Sequence, residues 1–322
     1  MKFHTSLLKT VFLGMIVWAL LPSLLGKEIR KISLEEVLSI GDLEDDLLFQ
    51  WTGVTSDTEG FIYVTDNMDY SLKKFSASGK LQKKTGQKGQ GPGEFSAPRL
   101  LDCSEKWIYV IDQNIPGIQV FDKELHFQRR IPMLLPVIDF KVLSDDRIAV
   151  LAFDLRHPSR VLFIDPEGKI TSELDYSRAQ RKNLFVMADL VSFDVDAEGN
   201  VYLAYTYEDR IEKWTEKGRM VWSKKLLGIK KVKSQKAGDF VIPTEIVYKD
   251  VALDRSGNIF ILGGHFSKNR SRDVYVLSPS GELRTTFSLP DFSHCIYIDK
   301  KNFLYSRAQE GITLKKFKMK YN

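Results

Sequence analysis

The sequence contains few cysteines, and this scarcity limits both its fold and its chemistry. Two Cys in 322 residues are too few for a disulfide scaffold or for a multi-cysteine metal or iron–sulfur site. Glycine (21) and proline (11) are too few for a collagen-like or low-complexity chain. With 43% hydrophobic and 28% charged residues, the composition is instead that of a globular protein.

The sequence also lacks a strong charge bias and any motif for nucleophilic catalysis. A formal net charge of +5 is too small by itself to indicate nucleic-acid binding. No Gly-x-Ser-x-Gly or related nucleophile motif occurs. We therefore expect no nucleic-acid partner, and the motifs alone do not predict an enzyme.

The N-terminal segment predicts export. Lys2 and Lys9 precede an apolar run that ends near Gly26, after which a charged segment begins. This order of basic, apolar and small residues is typical of a secretory signal peptide. The run contains Pro22 and is shorter than the ~20 residues that a membrane-spanning helix needs. We predict a signal peptide over 1–26, a mature domain over 27–322 without a transmembrane segment, and a periplasmic or extracellular location.

One pattern then recurs along the chain: an apolar strand, an Asp-x-x-Gly turn and a second β-rich run. Its clearest copies begin at Val191–Leu203 and Val251–Ile261. In the turn, Asp can accept hydrogen bonds from its own backbone and Gly supplies a positive φ. Six copies, 40–58 residues apart, predict an all-β fold, a six-bladed β-propeller with four antiparallel strands per blade. The equivalent apolar residues are Ile62, Ile108, Ile148, Val201, Ile259 and Leu304.

The sixth unit supplies only three strands before the sequence stops at Asn322. The segment Lys27–Leu34 resembles the fourth strands of other units, such as Leu283–Leu289. We predict that this N-terminal strand completes the last blade and closes the ring, which removes two exposed sheet edges. Ser33–Leu38, with a Ser and a Glu in capping-box spacing, predicts a single helical turn or an irregular connection.

A glycine-rich linker indicates a family. Gly86–Pro98 reads GQKGQGPGEFSAP and precedes a new strand. It resembles the blade-to-blade linker of NHL-repeat propellers, and with the Asp-x-x-Gly phrases the chain is similar to exported bacterial NHL-like six-bladed propellers over roughly residues 45–320. The resemblance implies the fold and leaves the function open, because propellers host both binding proteins and enzymes.

Candidate site residues follow from the fold, since the first strand of each blade lines the central channel. Alignment of the repeats places one residue per blade at an equivalent position near the start of these strands: Gly53, Arg99, Asp139, Ser192, Asp250 and Cys295. Trp51, Lys249 and His294 are neighbours of this set. We predict a ligand-binding channel mouth at Trp51, Arg99, Asp139, Asp250 and His294. The alternative is that the Asp residues cap strand ends and the Arg pairs with them.

Three functions remain open at this point, and the third is a structural part of a larger envelope complex. The first is a monomeric binding or scaffold propeller that recognises a protein, peptide or glycan, without catalysis or cofactor. The second is a metal-assisted hydrolase or lyase with a site at the channel, for which Asp139, Asp250 and His294 are the residues to test. Ca²⁺ or Zn²⁺ at Asp139 and Asp250 would be its cofactor. A three-histidine site is not predicted, because His126, His157, His265 and His294 fall at different phases of the repeat.

Two further features need a structural explanation. Lys224–Lys236 contains six Lys and no acidic residue, which predicts either a solvated loop or a contact for an anionic surface such as lipid or polysaccharide. Cys103 and Cys295 occupy non-equivalent positions in blades two and six, so we expect two buried free thiols and no disulfide.

Overall fold

The computed structural model describes residues 31–42, 47–133, 135–152, 160–176, 190–238, 240–308 and 311–322. The predicted signal peptide, 1–26, lies outside the described residues. Strands and turns make up these ranges. Within them, no helix is long and apolar enough to cross a bilayer.

The described strands form six four-stranded antiparallel sheets and one extra hairpin. This confirms the predicted six-bladed β-propeller. In chain order, the first strand is β1 (Ile32–Ile40), and blade one holds β2 (Trp51–Ser56), β3 (Ile62–Asp66), β4 (Ser71–Phe75) and β5 (Leu81–Thr85). Blade two holds β6 (Pro98–Cys103), β7 (Trp107–Asp112), β8 (Ile118–Asp122) and β9 (Phe127–Ile131). Blade three holds β10 (Val137–Val142), β11 (Ile148–Ala152), β12 (Arg160–Ile164) and β13 (Ile170–Asp175).

The second half of the chain follows the same order. Blade four holds β14 (Val191–Val195), β15 (Val201–Tyr205), β16 (Ile211–Trp214) and β17 (Met220–Lys224), and the hairpin that follows is β18 (Ser234–Ala237) and β19 (Phe240–Pro243). Blade five holds β20 (Tyr248–Leu253), β21 (Ile259–Gly263), β22 (Asp273–Leu277) and β23 (Leu283–Ser288). Blade six holds β24 (Ile296–Ile298), β25 (Phe303–Ala308), β26 (Thr313–Tyr321) and β1.

Strand β1 closes the ring, as predicted, by pairing antiparallel with β26 from Ile32 opposite Tyr321 to Ile40 opposite Leu314. The strand spans 32–40 rather than the predicted 27–34, of which 27–30 lie outside the described residues. The predicted helical turn within Ser33–Leu38 is wrong, because this segment is extended.

Two cross-strand ion pairs explain why the glutamates of β1 favour a strand over a helix. In the register of β1 with β26, Glu35 lies 2.9 Å from the Lys320 ammonium, and Glu36 lies 3.2 Å from that of Lys315. Opposite charges across a strand pair stabilise a sheet, whereas an isolated helical turn is marginal in water.

The core is divided into six apolar clusters, one between each pair of neighbouring blades. Each blade is therefore covered on both faces, and second strands such as β3, β11, β15 and β21 are buried along their whole length. This explains why they read as continuous apolar runs rather than as an alternation of apolar and polar residues.

The Asp-x-x-Gly turns form as predicted and carry an additional contact. In blade one, Asp57 accepts hydrogen bonds from the N–H groups of Gly60 and Phe61, and its second oxygen accepts one from Tyr63 Oη at 2.9 Å. The phenol of the second strand thereby fixes the turn to its own sheet. The same Asp–Tyr pair recurs at 3.0 Å in blades four (Asp196, Tyr202) and six (Asp299, Tyr305).

The lysine-rich segment is not entirely a loop, since it leads from β17 into the hairpin β18–β19, which was not predicted from the sequence. The buried Asp209 carboxylate accepts hydrogen bonds from the backbone N–H groups of Leu226, Leu227 and Ile229 and fixes the start of the segment. The five lysines from Lys225 to Lys236 are exposed, and Lys233 pairs with Glu245 at 3.1 Å.

Removing β1 should destabilise the whole propeller. A chain that begins at residue 41 loses the buried Ile32 and Ile40 and leaves the β26 edge unpaired. We expect its Tm to fall by roughly 10 °C or more relative to a chain that begins at residue 31, measured by calorimetry. Equal melting temperatures of the two chains would show that β1 does not stabilise the ring.

Candidate functional site

The inner strands β2, β6, β10, β14, β20 and β24 surround a central cavity of about 1020 Å³. Arg99, Asp139, Asp250 and His294, four of the five predicted site residues, line this cavity. Trp51 begins β2, where its backbone pairs with Asp66 of β3, and its side chain lies outside the described residues. The structure therefore brings the other four together in one channel.

Four inner strands carry a β-bulge at the same place, near the end at which the strand begins. In β2 the pairing with β3 passes from Trp51 to Gly53, which leaves Thr52 as the extra residue. The corresponding extra residues are Arg99 in β6, Ile138 in β10 and Lys249 in β20. A bulge re-aims the side chain of its extra residue, and all four of these residues line the channel.

We call these four residues, together with His294 at the same place in blade six, the mouth ring. The ring corrects the sequence alignment by one residue in blade two. Leu100, not Arg99, holds the position of Gly53, Asp139 and Asp250, while Arg99 is equivalent to Lys249. An extra residue in a bulge leaves the apolar pattern of the flanking strands intact, so the alignment could not reveal it.

Two more layers of side chains lie beneath the mouth ring. The second layer holds the residues that follow the ring, including Asp139, Ser192, Asp250 and Cys295. The third layer lies two residues further along each strand and holds, in blade order, Thr55, Asp102, Lys141, Asp194, Ala252 and Tyr297. None of the third-layer residues was among the predicted site residues, although the two-residue period of a strand predicts that this layer faces the same side as the second.

Three channel carboxylates connect neighbouring blades. Asp250 accepts hydrogen bonds from Val251 N and Ser192 Oγ, and its second oxygen accepts one from Ile296 N of blade six at 2.8 Å. Asp102 bonds Val142 N of blade three at 2.7 Å, and Asp194 bonds Leu253 N of blade five at 2.8 Å. Asp250 therefore has a structural role, as in the alternative in which the Asp residues cap the strand ends.

Asp139 differs from these three. Its Oδ1 accepts a hydrogen bond from Phe140 N at 2.8 Å, and within the described part of the chain it makes no hydrogen bond to another blade. Burial raises the pKa of Asp139 to about 7, although Lys141 opposes this shift and Asp250 adds to it. This carboxyl group therefore changes its charge near neutral pH.

Lys141 supplies the positive charge within the second and third layers. Its Nζ lies 3.7 Å from Asp194 Oδ1. Burial alone would lower the pKa of Lys141, but Asp194, Asp139, Asp102 and Asp250 outweigh burial and raise it, so the ammonium stays charged. A lysine therefore neutralises part of the acidic channel at the place where a bound cation would do so.

Lys249 is half-buried in the channel wall. Its Nζ lies 4.0 Å from the centroid of the Phe292 ring and 3.3 Å from the carbonyl oxygen of Ser293. Burial lowers the pKa of Lys249 to about 8. Among the described residues, no carboxylate lies within salt-bridge distance of Lys249 or of Arg99, which is exposed at the mouth.

The three described histidines do not converge on one site. His294 stacks edge-on against Phe292, with 4.8 Å between ring centroids. His126 contacts Asp122 at 3.1 Å, and His265 Nδ1 accepts a hydrogen bond from Ile246 N. His157 lies outside the described residues. Across the described ranges, no three His, Cys, Asp or Glu side chains form a group that could hold a metal ion.

The two cysteines are both free, as expected. Cys103 is buried, but Cys295 is only partly buried because it faces the channel in the second layer. Burial raises the pKa of the Cys295 thiol to about 12, so it stays protonated at neutral pH.

Replacing Lys141 should destabilise the ring. Lys141→Met leaves Asp194 without its cation in a partly buried setting, so we expect a loss of roughly 1–3 kcal/mol in the free energy of unfolding. Urea denaturation measures it, and Lys300→Met, exposed at the opposite end of the channel, is the control. Adding Asp139→Asn to Lys141→Met should recover part of the loss; unchanged stability of the single variant would contradict the role of Lys141.

The elevated pKa of Asp139 predicts a pH-dependent stability. Since the folded pKa is about 7 and the ordinary value is 3.8, the folded state binds the proton more tightly, and the stability from this group is lost as pH rises from 4 through 7. Between pH 5 and pH 8, the Tm of the native protein should fall relative to that of Asp139→Asn. We expect the corresponding difference in the free energy of unfolding to be on the order of 1–2 kcal/mol, because water in the channel screens the charge. Parallel pH profiles of Tm for the two proteins would refute this prediction.

Comparison with known proteins agrees with this fold. Residues 42–221 match the sequence model of the family DUF5128, described as a 6-bladed beta-propeller. None of the curated proteins matches the sequence.

Several solved structures resemble the chain in fold. A member of the duf4221 family from Bacteroides vulgatus superimposes with a TM-score of 0.59 and 12% identity, covering 91% of this chain and 100% of that one. A streptogramin B lyase gives 0.55 and 12%, covering 91% and 100%. A virginiamycin B lyase from Staphylococcus aureus gives 0.54 and 11%, covering 89% and 99%. At these identities the likeness extends to the fold alone.

Proposed function

The chain belongs to DUF5128, a family of six-bladed β-propellers. From its channel mouth, we propose that it is a binding protein that admits part of a peptide or glycan into its central channel. The proposed ligand contacts are the mouth ring and the second-layer Asp139. Asp250, one of the predicted site residues, contributes by positioning the wall of the channel.

One observation carries this proposal: the channel mouth presents charged side chains that no carboxylate of the described residues neutralises. Arg99 and Lys249 line the cavity and have no carboxylate partner among the described residues. A half-buried ammonium is costly unless something compensates it. Concave cavities with a few convergent polar groups are the usual form of a ligand site.

Binding fits the channel better than metal-assisted catalysis. Asp102, Asp194 and Asp250 are occupied by backbone N–H groups of neighbouring blades, which leaves them few lone pairs for a metal ion. Lys141 already supplies a cation among them. The structural likeness to two lyases is a likeness of fold, and function depends on the site rather than on the fold.

The proposal includes export to the periplasm or the extracellular space, which the composition of residues 1–26 supports. It also keeps the likeness of the Gly86–Pro98 linker to NHL-repeat propellers as a proposed relationship. N-terminal sequencing of the protein recovered from the cell envelope or the medium should begin at Lys27. A retained Met1 in the exported fraction would argue against cleavage.

Arg99→Trp should abolish ligand binding, because a bulky side chain at this exposed bulge fills the mouth without disturbing a packed contact. We expect arrays of peptides and oligosaccharides to retain the native protein and not this variant, with Lys300→Trp at the opposite end of the channel as the control. Retained ligands should be recovered chemically unchanged, by mass spectrometry, after prolonged incubation. Conversion of a ligand would favour the hydrolase or lyase alternative instead.

A further inference from the structure

We infer that the group bound at the mouth ring is a single carboxylate, held between Arg99 and Lys249. This inference rests on the proposed binding function and identifies the chemistry of its ligand. The carboxylate is either the C-terminus of a peptide or the uronate of an acidic sugar.

The first argument is the placement of the two cations. Arg99 and Lys249 are the extra residues of equivalent bulges in blades two and five. Blades two and five face each other in a ring of six, so the two side chains enter the channel from opposite walls. Both side chains line the same cavity. A ligand on the channel axis at this level therefore meets a cation from each side.

The second argument is that, among the described residues, no acid forms a salt bridge with these cations. Asp250 directly follows Lys249, but its carboxylate turns to Ser192, to Val251 N and to Ile296 N of blade six. The Lys249 ammonium instead lies against the Phe292 ring and the Ser293 carbonyl. Such a partly desolvated ammonium gains more from an anion than a fully hydrated one.

The third argument limits the charge and the depth of the ligand. Beneath the mouth ring, the second and third layers hold Asp139, Asp250, Asp102 and Asp194 against Lys141 alone. This acidic interior repels an anion that enters deeply, and it repels a dianion such as phosphate more strongly than a monoanion. A carboxylate at the level of the ring obtains both cations and keeps away from the acidic layers.

The geometry of the donors also fits a carboxylate. The planar guanidinium of Arg99 can donate two parallel hydrogen bonds to one carboxylate. The ammonium of Lys249 has three donors, and one is directed at Ser293 O. The remaining donors are free to bind the ligand, and His294 lies beside Lys249 in the same ring.

Matched pairs of ligands test this inference. The peptide pair is a set of N-acetylated pentapeptides with free or amidated C-termini, and the sugar pair is tri-galacturonate with neutral galactotriose. Titration calorimetry at pH 7 should show binding of the free-acid member of at least one pair, with the neutral member about tenfold weaker or worse. Binding of the free-acid peptides identifies a C-terminus as the source, and binding of tri-galacturonate identifies a uronate.

Variants locate the bound carboxylate. Lys249→Met and Arg99→Ala should each weaken the free-acid ligand about tenfold or more, Arg99→Lys should weaken it less, and Lys300→Met should have no effect. Equal binding of both members of a pair, abolished by Arg99→Trp, would overturn the carboxylate inference and leave the proposed function intact. Binding of the free acid unaffected by Lys249→Met and Arg99→Ala would also overturn it. No binding of any member would overturn both.

The pH dependence supplies a readout that a structural role would not give. Around Lys249 stand Cys295, Asp250, His294 and Arg270 as titratable or charged groups, and the pKa of Lys249 is lowered to about 8. A bound carboxylate favours the charged form, so binding above pH 8 must be accompanied by proton uptake. The affinity of the native protein should therefore fall between pH 8 and pH 10, where Asp139 is already ionised, and that of Lys249→Met should stay constant over this range.

Discussion

The channel chemistry follows from one constraint: the inner edge of every blade must satisfy its backbone N–H groups without a further strand. In this propeller, side-chain carboxylates do so across the gap between blades, as Asp102, Asp194 and Asp250 show. Each bond joins two blades that also share an apolar cluster. The channel is acidic because the ring needs acceptors there, and Lys141 then offsets part of this charge.

This constraint separates structural charge from functional charge. Asp102, Asp194 and Asp250 accept hydrogen bonds from neighbouring blades, and Lys141 offsets part of their charge. Arg99 and Lys249, one layer higher, lack carboxylate partners in the described part of the chain. The bulges produce this difference, because they move one residue per strand out of the regular alternation and turn it toward the mouth. The site is therefore set by backbone irregularity as much as by residue type.

The fold could be predicted from the sequence because every unit repeats the same apolar pattern and Asp-x-x-Gly turn. The sequence also indicated ring closure, since the N-terminal segment resembles the fourth strands of other units. The predicted bounds of the closing strand were wrong because Ser33 and Glu36 match a helix-capping pattern. The ion pairs that favour the strand involve Lys315 and Lys320, near the other end of the chain. Such long-range partners have no local signal.

The candidate site could be predicted less well. The phase of the repeat was sufficient to predict that Arg99, Asp139, Asp250 and His294 lie at one channel. It could not reveal that Asp250 bonds the next blade or that Lys249 is the counterpart of Arg99. The first depends on packing between blades, and the second on an extra residue that the pattern does not register.

The pairing of Ile32 with Tyr321 has a consequence for the order of folding. Blade six contains the two most distant segments of the propeller, so its sheet cannot be completed until residue 321 has been synthesised. Blades one to five can form from local sequence, whereas closure waits for contacts of the highest sequence separation, which are intrinsically slow to form. Ring closure therefore follows the synthesis of β26, and until β1 pairs with it the outer edge of β26 stays unpaired.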